Sequence, residues 1–139
     1  MSFGAAASAH RGRRLAAEAA CPCGRRDFGS CCGPVLDGQA AETPEDLMRS
    51  RYTAFALGDA RHLVDTWFPG TRPDDLTIDP DTEWMGLVVL DSDTASDGRS
   101  GRVRFRASWR EGAAREVATM EEDSRFVRRV GRWYYVDAL

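Results

Sequence analysis

The chain has 139 residues, a net charge of −3 and a pI near 5.4. That length suits one domain with a small appendage, and the acidic balance speaks against a dedicated DNA-binding protein. The longest apolar run, Met85–Leu90, is far too short to cross a membrane, and residues 1–20 lack the continuous apolar core of a secretory signal, so a cytoplasmic protein is expected.

Residues 1–20 are rich in Ala and read as a disordered basic tail. Charge is uneven along the chain: residues 1–34 carry Arg11, Arg13, Arg14, Arg25 and Arg26 against only Glu18 and Asp27. Such an arm can touch RNA or an acidic protein surface, although a solubilising tail is the simpler reading.

All four cysteines follow within twelve residues, as the pairs Cys21/Cys23 and Cys31/Cys32. In a reducing compartment such clusters bind metal more often than they form disulfides. Cys21 and Cys23 point the same way in an extended segment, and Gly24 can take the positive φ that turns the chain around an ion. Four thiolates at about 2.3 Å make a closed tetrahedral zinc site with no position left for water. Iron suits the same sulfur set. Arg25 and Arg26 are expected to offset the negative charge of the cluster. The competing readings are a redox thiol pair or two disulfides. A C-x-x-C motif is absent, and a bond between the adjacent Cys31 and Cys32 would be strained.

The stretch Cys21-Pro22-Cys23-Gly24…Cys31-Cys32-Gly33 resembles the SEC-C motif, the zinc-binding module known from the C-terminal end of the SecA translocation ATPase. Gly24-Arg25-Arg26-Asp27 departs from the motif's Gly-Ser-Gly-Lys portion, and the loop is one residue shorter. The resemblance covers residues 21–34. It implies zinc and a protein or ribosome partner, because the motif in SecA is an interaction module.

Pro34–Ala41 reads as a linker that separates this knuckle from a domain over residues 42–139. Thr43-Pro44-Glu45-Asp46 starts a helix that runs to Leu57 and stops at Gly58. Asp59 caps a second helix with Leu63, Val64, Trp67 and Phe68 inward, ended by Pro69-Gly70. The period then changes to two. Strands are predicted over Trp84–Leu90, Arg102–Arg110, Glu116–Val130 and Trp133–Ala138, with Asp91–Ser100 as an acidic hairpin loop. Helices followed by a run of antiparallel strands define an α+β fold.

The domain also resembles a family. Leu47-Met48-Arg49-Ser50-Arg51-Tyr52, Thr66-Trp67-Phe68-Pro69, Trp84-x-Gly86-Leu87, Glu122-x-Ser124-Arg125-Phe126 and Gly131-Arg132-Trp133-Tyr134-Tyr135 are similar to the central domain of the YchJ family of small bacterial proteins. That resemblance implies a nuclear-transport-factor-2-like (NTF2-like) cone: two helices packed on a curved antiparallel sheet of about four strands. Phe68 and Glu121 stand where relatives tend to have His, which removes two titratable groups from the expected pocket side.

Two functional readings follow. The first is a non-catalytic adaptor whose Cys21/Cys23/Cys31/Cys32 knuckle engages a partner. The second is a small-ligand-binding protein or enzyme with a polar pocket lined by Glu122, Arg49, His62 and Tyr134. In the bland version of the second, Arg51 or Arg49 forms a buried ion pair with Glu122 beside Ser124, and Phe55, Trp67, Phe105 and Trp109 fill the cone. His62 and Asp65 read as a surface pair at i, i+3. Arg102, Arg104, Arg106 and Arg110 read as a solvated sheet face laddered against Glu116, Glu121 and Asp123.

Overall fold

The structure, a computed structural model, describes residues 10–139. A single 3₁₀ turn, Phe28–Ser30, precedes α1 (Cys32–Leu36), α2 (Pro44–Leu57) and α3 (Ala60–Asp65). Four strands follow: β1 (Thr82–Thr94), β2 (Ser100–Glu111), β3 (Ala118–Arg129) and β4 (Arg132–Ala138). They form one antiparallel meander in the order β1-β2-β3-β4. The fold is α+β and NTF2-like. None of the described helices is long and apolar enough to cross a membrane.

The start of α2 follows its local chemistry. Thr43 Oγ1 accepts from the Asp46 N–H at 3.0 Å, Pro44 occupies the first turn, and Gly58 closes the helix in the left-handed region. Its sides do not follow a simple two-sided pattern. Nine of its residues are buried, among them Ser50, Arg51 and Thr53. A helix buried on most sides has to satisfy polar groups in the interior, and each of these three finds partners there.

Register shifts bend the sheet. They fall between Trp84 and Gly86 and between Val89 and Asp91 in the β1–β2 pair, and between Arg125 and Phe126 in the β3–β4 pair. Each bulge adds local twist, and together they curl the sheet around α2. The concave side carries Val103, Phe105, Ala107, Ser124 and Phe126. Leu47 and Leu63 complete the fully buried centre.

Several predicted elements shift. The hairpin between β1 and β2 is tighter than a loop over Asp91–Ser100, because β1 continues to Thr94 and Ala95 N–H bonds Ser100 O at 2.9 Å. The second helix ends at Asp65, not at Phe68. Trp67 instead forms a parallel bridge to Tyr135, flanked by Phe68 N–H to Tyr135 O at 2.7 Å and Tyr135 N–H to Thr66 O at 2.8 Å. Ladder hydrogen bonds outcompete two more residues of helix here. The convex face carries the expected ladder, with Asp123 and Glu121 in their predicted places and Glu83 and Asp137 joining them. Arg102 pairs with Asp123, Arg104 and Arg106 with Glu121, Arg110 with Glu83 and Arg125 with Asp137. Glu116 precedes β3 and takes no part in it. Glu121 thus faces away from the cone, so it does not stand on a pocket side.

Of the segment 1–20, residues 1–9 lie outside the described residues. Residues 10–20 run along the domain. Arg61 N–H bonds His10 O and Arg13 N–H bonds Leu57 O, both at 3.0 Å. A Cβ on Gly12 would stand 2.2 Å from Leu57 O, so the close approach requires glycine. The Arg14 guanidinium reaches the 1 % exposed Asp59 at 3.0 Å and Asp37 at 3.4 Å. Gly29 N–H to Ala17 O and Phe28 N–H to Ala19 O then tie the same segment to the cysteine loop.

Core and ladder make separable contributions. Phe126→Ala is expected to cost about 3–5 kcal/mol, the usual penalty for emptying a fully buried aromatic site. Arg104→Ala on the solvated ladder should leave the denaturant midpoint nearly unchanged. Urea unfolding of both variants checks the contrast.

Candidate metal centre and the cavity of the cone

Local backbone geometry brings the four thiols together. Cys21 N–H bonds Arg26 O at 3.0 Å, and Ala20 and Asp27 form an antiparallel bridge, so the first pair sits on a tight loop. Gly24 turns that loop with φ of 85°, and its N–H bonds Cys21 O at 2.9 Å. The 3₁₀ turn returns the chain, and Cys32 opens α1. The Sγ atoms of Cys21, Cys23, Cys31 and Cys32 all lie within 4.8 Å of one another, and all four residues are buried. None is in a disulfide. Four sulfurs in a closed, compact set fit a tetrahedral thiolate metal site, whose edges are about 3.8 Å for bonds of about 2.3 Å.

The surroundings of the set are equally specific. Thr53 of α2 is fully buried; its hydroxyl donates to Cys32 Sγ at 3.3 Å and lies 3.6 Å from Cys21 Sγ. Arg49, one helical turn earlier, donates from Nη1 to Cys23 O at 3.0 Å and from Nε to Glu45 at 2.8 Å. Arg25 pairs with Asp46 at 2.8 Å. Hydrogen bonds to Asp46 and to Cys31 hold the Arg25 guanidinium above its ordinary range against the cost of burial. The cationic partners of the sulfurs are therefore Arg25 and Arg49. Arg26, expected in that role, points outward and bonds Ser30 O at 3.0 Å.

The thiols share protons. The neighbouring thiols of Cys23 and Cys32 hold Cys21 far below the usual thiol range. The same proximity to Cys21 pushes Cys23 up to about 11 and Cys32 higher still. A metal cation substitutes for those protons, so metal uptake releases them.

Pro34–Ala41 is not a simple spacer. Its first residues belong to α1, and Leu36 is buried in one continuous cluster with the cysteines, Phe28, Leu47 and Phe126. The knuckle is part of the domain's core.

The cone holds a cavity of about 220 Å³ on the opposite side of α2. Its walls include Arg51, Glu122, Ser124 and Tyr135. Glu122 Oε2 accepts from Ser124 Oγ at 2.6 Å and from Tyr135 OH at 3.0 Å. Burial, and after it the Glu122 charge, push the Tyr135 phenol up, so it remains a proton donor. The Arg51 guanidinium is held between the rings of Trp67 and Tyr135, 4.8 and 4.6 Å from their centroids. Burial lowers its pKa to about 10, which leaves it charged at neutral pH.

Three residues predicted for this pocket lie elsewhere. Arg49 is two residues from Arg51, so it projects from the far side of the helix, toward the thiols. Tyr134 is adjacent to Tyr135 on β4, and alternation sends it to the other face. His62 is buried between α2 and α3: its Nε2 and the Ser50 hydroxyl are 2.8 Å apart, and that hydroxyl gives its own proton to Leu47 O. His62 Nε2 therefore donates. Burial, reinforced by Arg51 and Arg14, lowers the His62 pKa to about 3. His62 and Tyr134 share a separate cleft between α1, α3 and β4. Asp65 pairs with Arg61 at 3.5 Å, not with His62. No ion pair joins Arg51 or Arg49 to Glu122 among the described residues. Phe55, Trp67 and Phe105 wall the cavity without filling it, and Trp109 packs against Trp84 with ring centroids 5.8 Å apart and planes tilted by 48°. Tyr135, Thr53 and the metal-side role of Arg49 were missed; the strand alternation that separates Tyr134 from Tyr135 was the available signal for the first.

A buried four-thiol knuckle seated on an NTF2-like cone defines a protein of the SEC-C-bearing, NTF2-like class. The chain belongs to the YchJ family: the family description "YchJ, middle NTF2-like domain" matches residues 43–138. A UPF0225 protein of Streptomyces coelicolor is 48% identical over 120 residues, spanning 84% of this chain and 92% of the relative. Another from Chromobacterium violaceum is 45% identical over 129 residues, spanning 88% and 94%. The solution structure of a SEC-C motif containing protein from Rhodopseudomonas palustris superposes with a TM-score of 0.76 at 35% identity, covering 86% of this chain and 96% of that one. The crystal structure of a SEC-C motif containing protein from Psychrobacter arcticus gives 0.71 at 28%, covering 87% and 82%.

Three measurements check these residues. Metal removal by a chelator should lower the Tm of the whole chain by at least about 5 °C, the effect of losing one or two kcal/mol in a domain of this size; an unchanged melt would make the knuckle thermodynamically separate. Metal affinity should also fall as pH falls, with protons released on uptake. The third measurement concerns His62. Its folded pKa lies below the unfolded value of about 6.5, so the unfolded chain binds the extra proton and stability declines as pH falls through 6.5 toward 3. His62→Gln should flatten the stability slope between about pH 6.5 and pH 5, above the ordinary carboxylate range.

Proposed function

We propose that this chain is a small cytoplasmic zinc-binding protein that acts as a non-catalytic adaptor. Its SEC-C-like knuckle engages a protein or ribosomal partner, and the cone carries the knuckle. The observation that supports this reading is the closure of the thiol set. The four cysteines are at most 7% exposed, and a four-sulfur site leaves no coordination position for water or substrate. A metal held there shapes a surface instead of doing chemistry. The surface it shapes is the loop Gly24–Ser30, where Gly24, Arg26, Asp27, Gly29 and Ser30 are exposed while Cys23 and Phe28 anchor it from below. Zinc is the preferred metal because a structural role needs a tetrahedral ion without redox chemistry, although iron accepts the same ligands.

The test uses the wild type, Arg26→Glu and Cys31→Ser. Elemental analysis should find one zinc per chain in the wild type and in Arg26→Glu. A ribosomal or protein partner that co-purifies with the wild type should be lost from both variants. If both variants keep every partner of the wild type, the knuckle is not the docking surface and the adaptor reading fails. Iron in place of zinc would revise the metal and leave the docking test standing.

A further inference from the structure

The cone holds opposite charges that do not meet each other, a buried Arg51 and a half-buried Glu122. Arg51 is 4% exposed, and no carboxylate lies within 4.0 Å of its guanidinium among the described residues. Its hydrogen bonds to described residues all leave from Nη1, to Leu63 O at 2.9 Å and Thr66 Oγ1 at 2.8 Å. Nε and Nη2 have no acceptor among those residues. Glu122 is arranged in the same way. Its Oε2 takes both donors, Ser124 Oγ and Tyr135 OH, and Oε1 has none among the described residues. The free edges of Arg51 and Glu122 open into one shared space, and Trp67 Nε1 in its wall is buried without an acceptor among the described residues, a departure from the rule that buried polar groups are satisfied.

Both groups line the cavity of about 220 Å³, whose other walls are aromatic, chiefly Trp67, Trp84 and Phe105. An apolar space with a few convergent polar groups is the composition of a ligand site. The volume lies below the ~300 Å³ at which drug-sized pockets begin, which limits the occupant to a single ring with one polar group. The charges limit it further. A free anion would suit Arg51 and meet Glu122 repulsively; a cation would suit Glu122 and meet Arg51. A neutral group that accepts on one side and donates on the other satisfies both.

We propose that the cavity of the cone binds a small flat molecule with a carboxamide-type edge, its carbonyl oxygen toward Arg51 and its N–H toward Glu122. The aromatic walls hold the ring, and the edge completes the two unfinished hydrogen-bond sets. The site stands apart from the adaptor surface, because Arg51 and Phe55 face the cavity while Arg49 and Thr53 of the same helix face the thiols.

Three probes with one ring and different edges test this: benzamide, benzoate and benzamidine. Quenching of Trp67 and Trp84 in the wall, followed by calorimetry, reads binding to the full-length, metal-loaded chain. Benzamide should saturate at millimolar concentration and bind at least about tenfold more tightly than either charged probe, the cost of an unmade hydrogen bond to a charged group. Ala107→Leu fills the cavity from the sheet and should abolish binding, with retained metal content showing that the chain is folded. Glu122→Gln keeps an oxygen for Ser124 and Tyr135 but removes the charge, so it should raise benzoate affinity relative to benzamide. The proposal is overturned if no probe saturates, if benzoate or benzamidine matches benzamide on the wild type, or if Ala107→Leu binds like the wild type.

Discussion

Everything in this molecule is organised by the seating of the thiol cluster on one turn of α2. Thr53 is fully buried and touches Cys21 and Cys32, and Arg49 one turn away bonds the backbone of Cys23. That contact makes the helix a shared wall. Its 49/53 side serves the sulfurs. Its 48/51/52/55 side lines the cone. Ser50 reaches His62 on α3. A helix used on three sides cannot be amphipathic in the simple sense, and its buried polar side chains are the consequence.

The electrostatic layout follows from the same wall. Arg25 and Arg49 offset charge at the sulfurs, where a four-thiolate site would otherwise add two net negative charges to a dry interior. Arg51, only two residues from Arg49, is screened from that site by the helix itself and is stabilised by the ring faces of Trp67 and Tyr135. On the convex side of the sheet the arginines are exposed and paired, which offsets most of the charge of an otherwise basic face.

The strap formed by residues 10–20 extends this coupling. It bonds the end of α2 at Leu57, the start of α3 at Asp59 and the cysteine loop at Phe28 and Gly29. Knuckle, helices and strap therefore share one core.

The amino-acid sequence by itself determined the parts whose physics is local. Four cysteines in twelve residues, a Thr-Pro helix start, a Gly58 stop and the alternating pattern of Val103, Phe105 and Ala107 specify thiols, a helix and a strand through spacing, capping and period alone. The family resemblance carried the cone on the same stretches. Only the tertiary structure decided which arginine serves which site, because Arg49 and Arg51 are separated by helix phase and by what packs on each side, neither of which a linear pattern states. It likewise chose Tyr135 over Tyr134, buried His62 against Ser50, drew Trp67 out of a helix into a bridge, and laid residues 10–20 along the domain. Each of these rests on a partner tens of residues away, and such contacts exist only once the sheet has curled around α2.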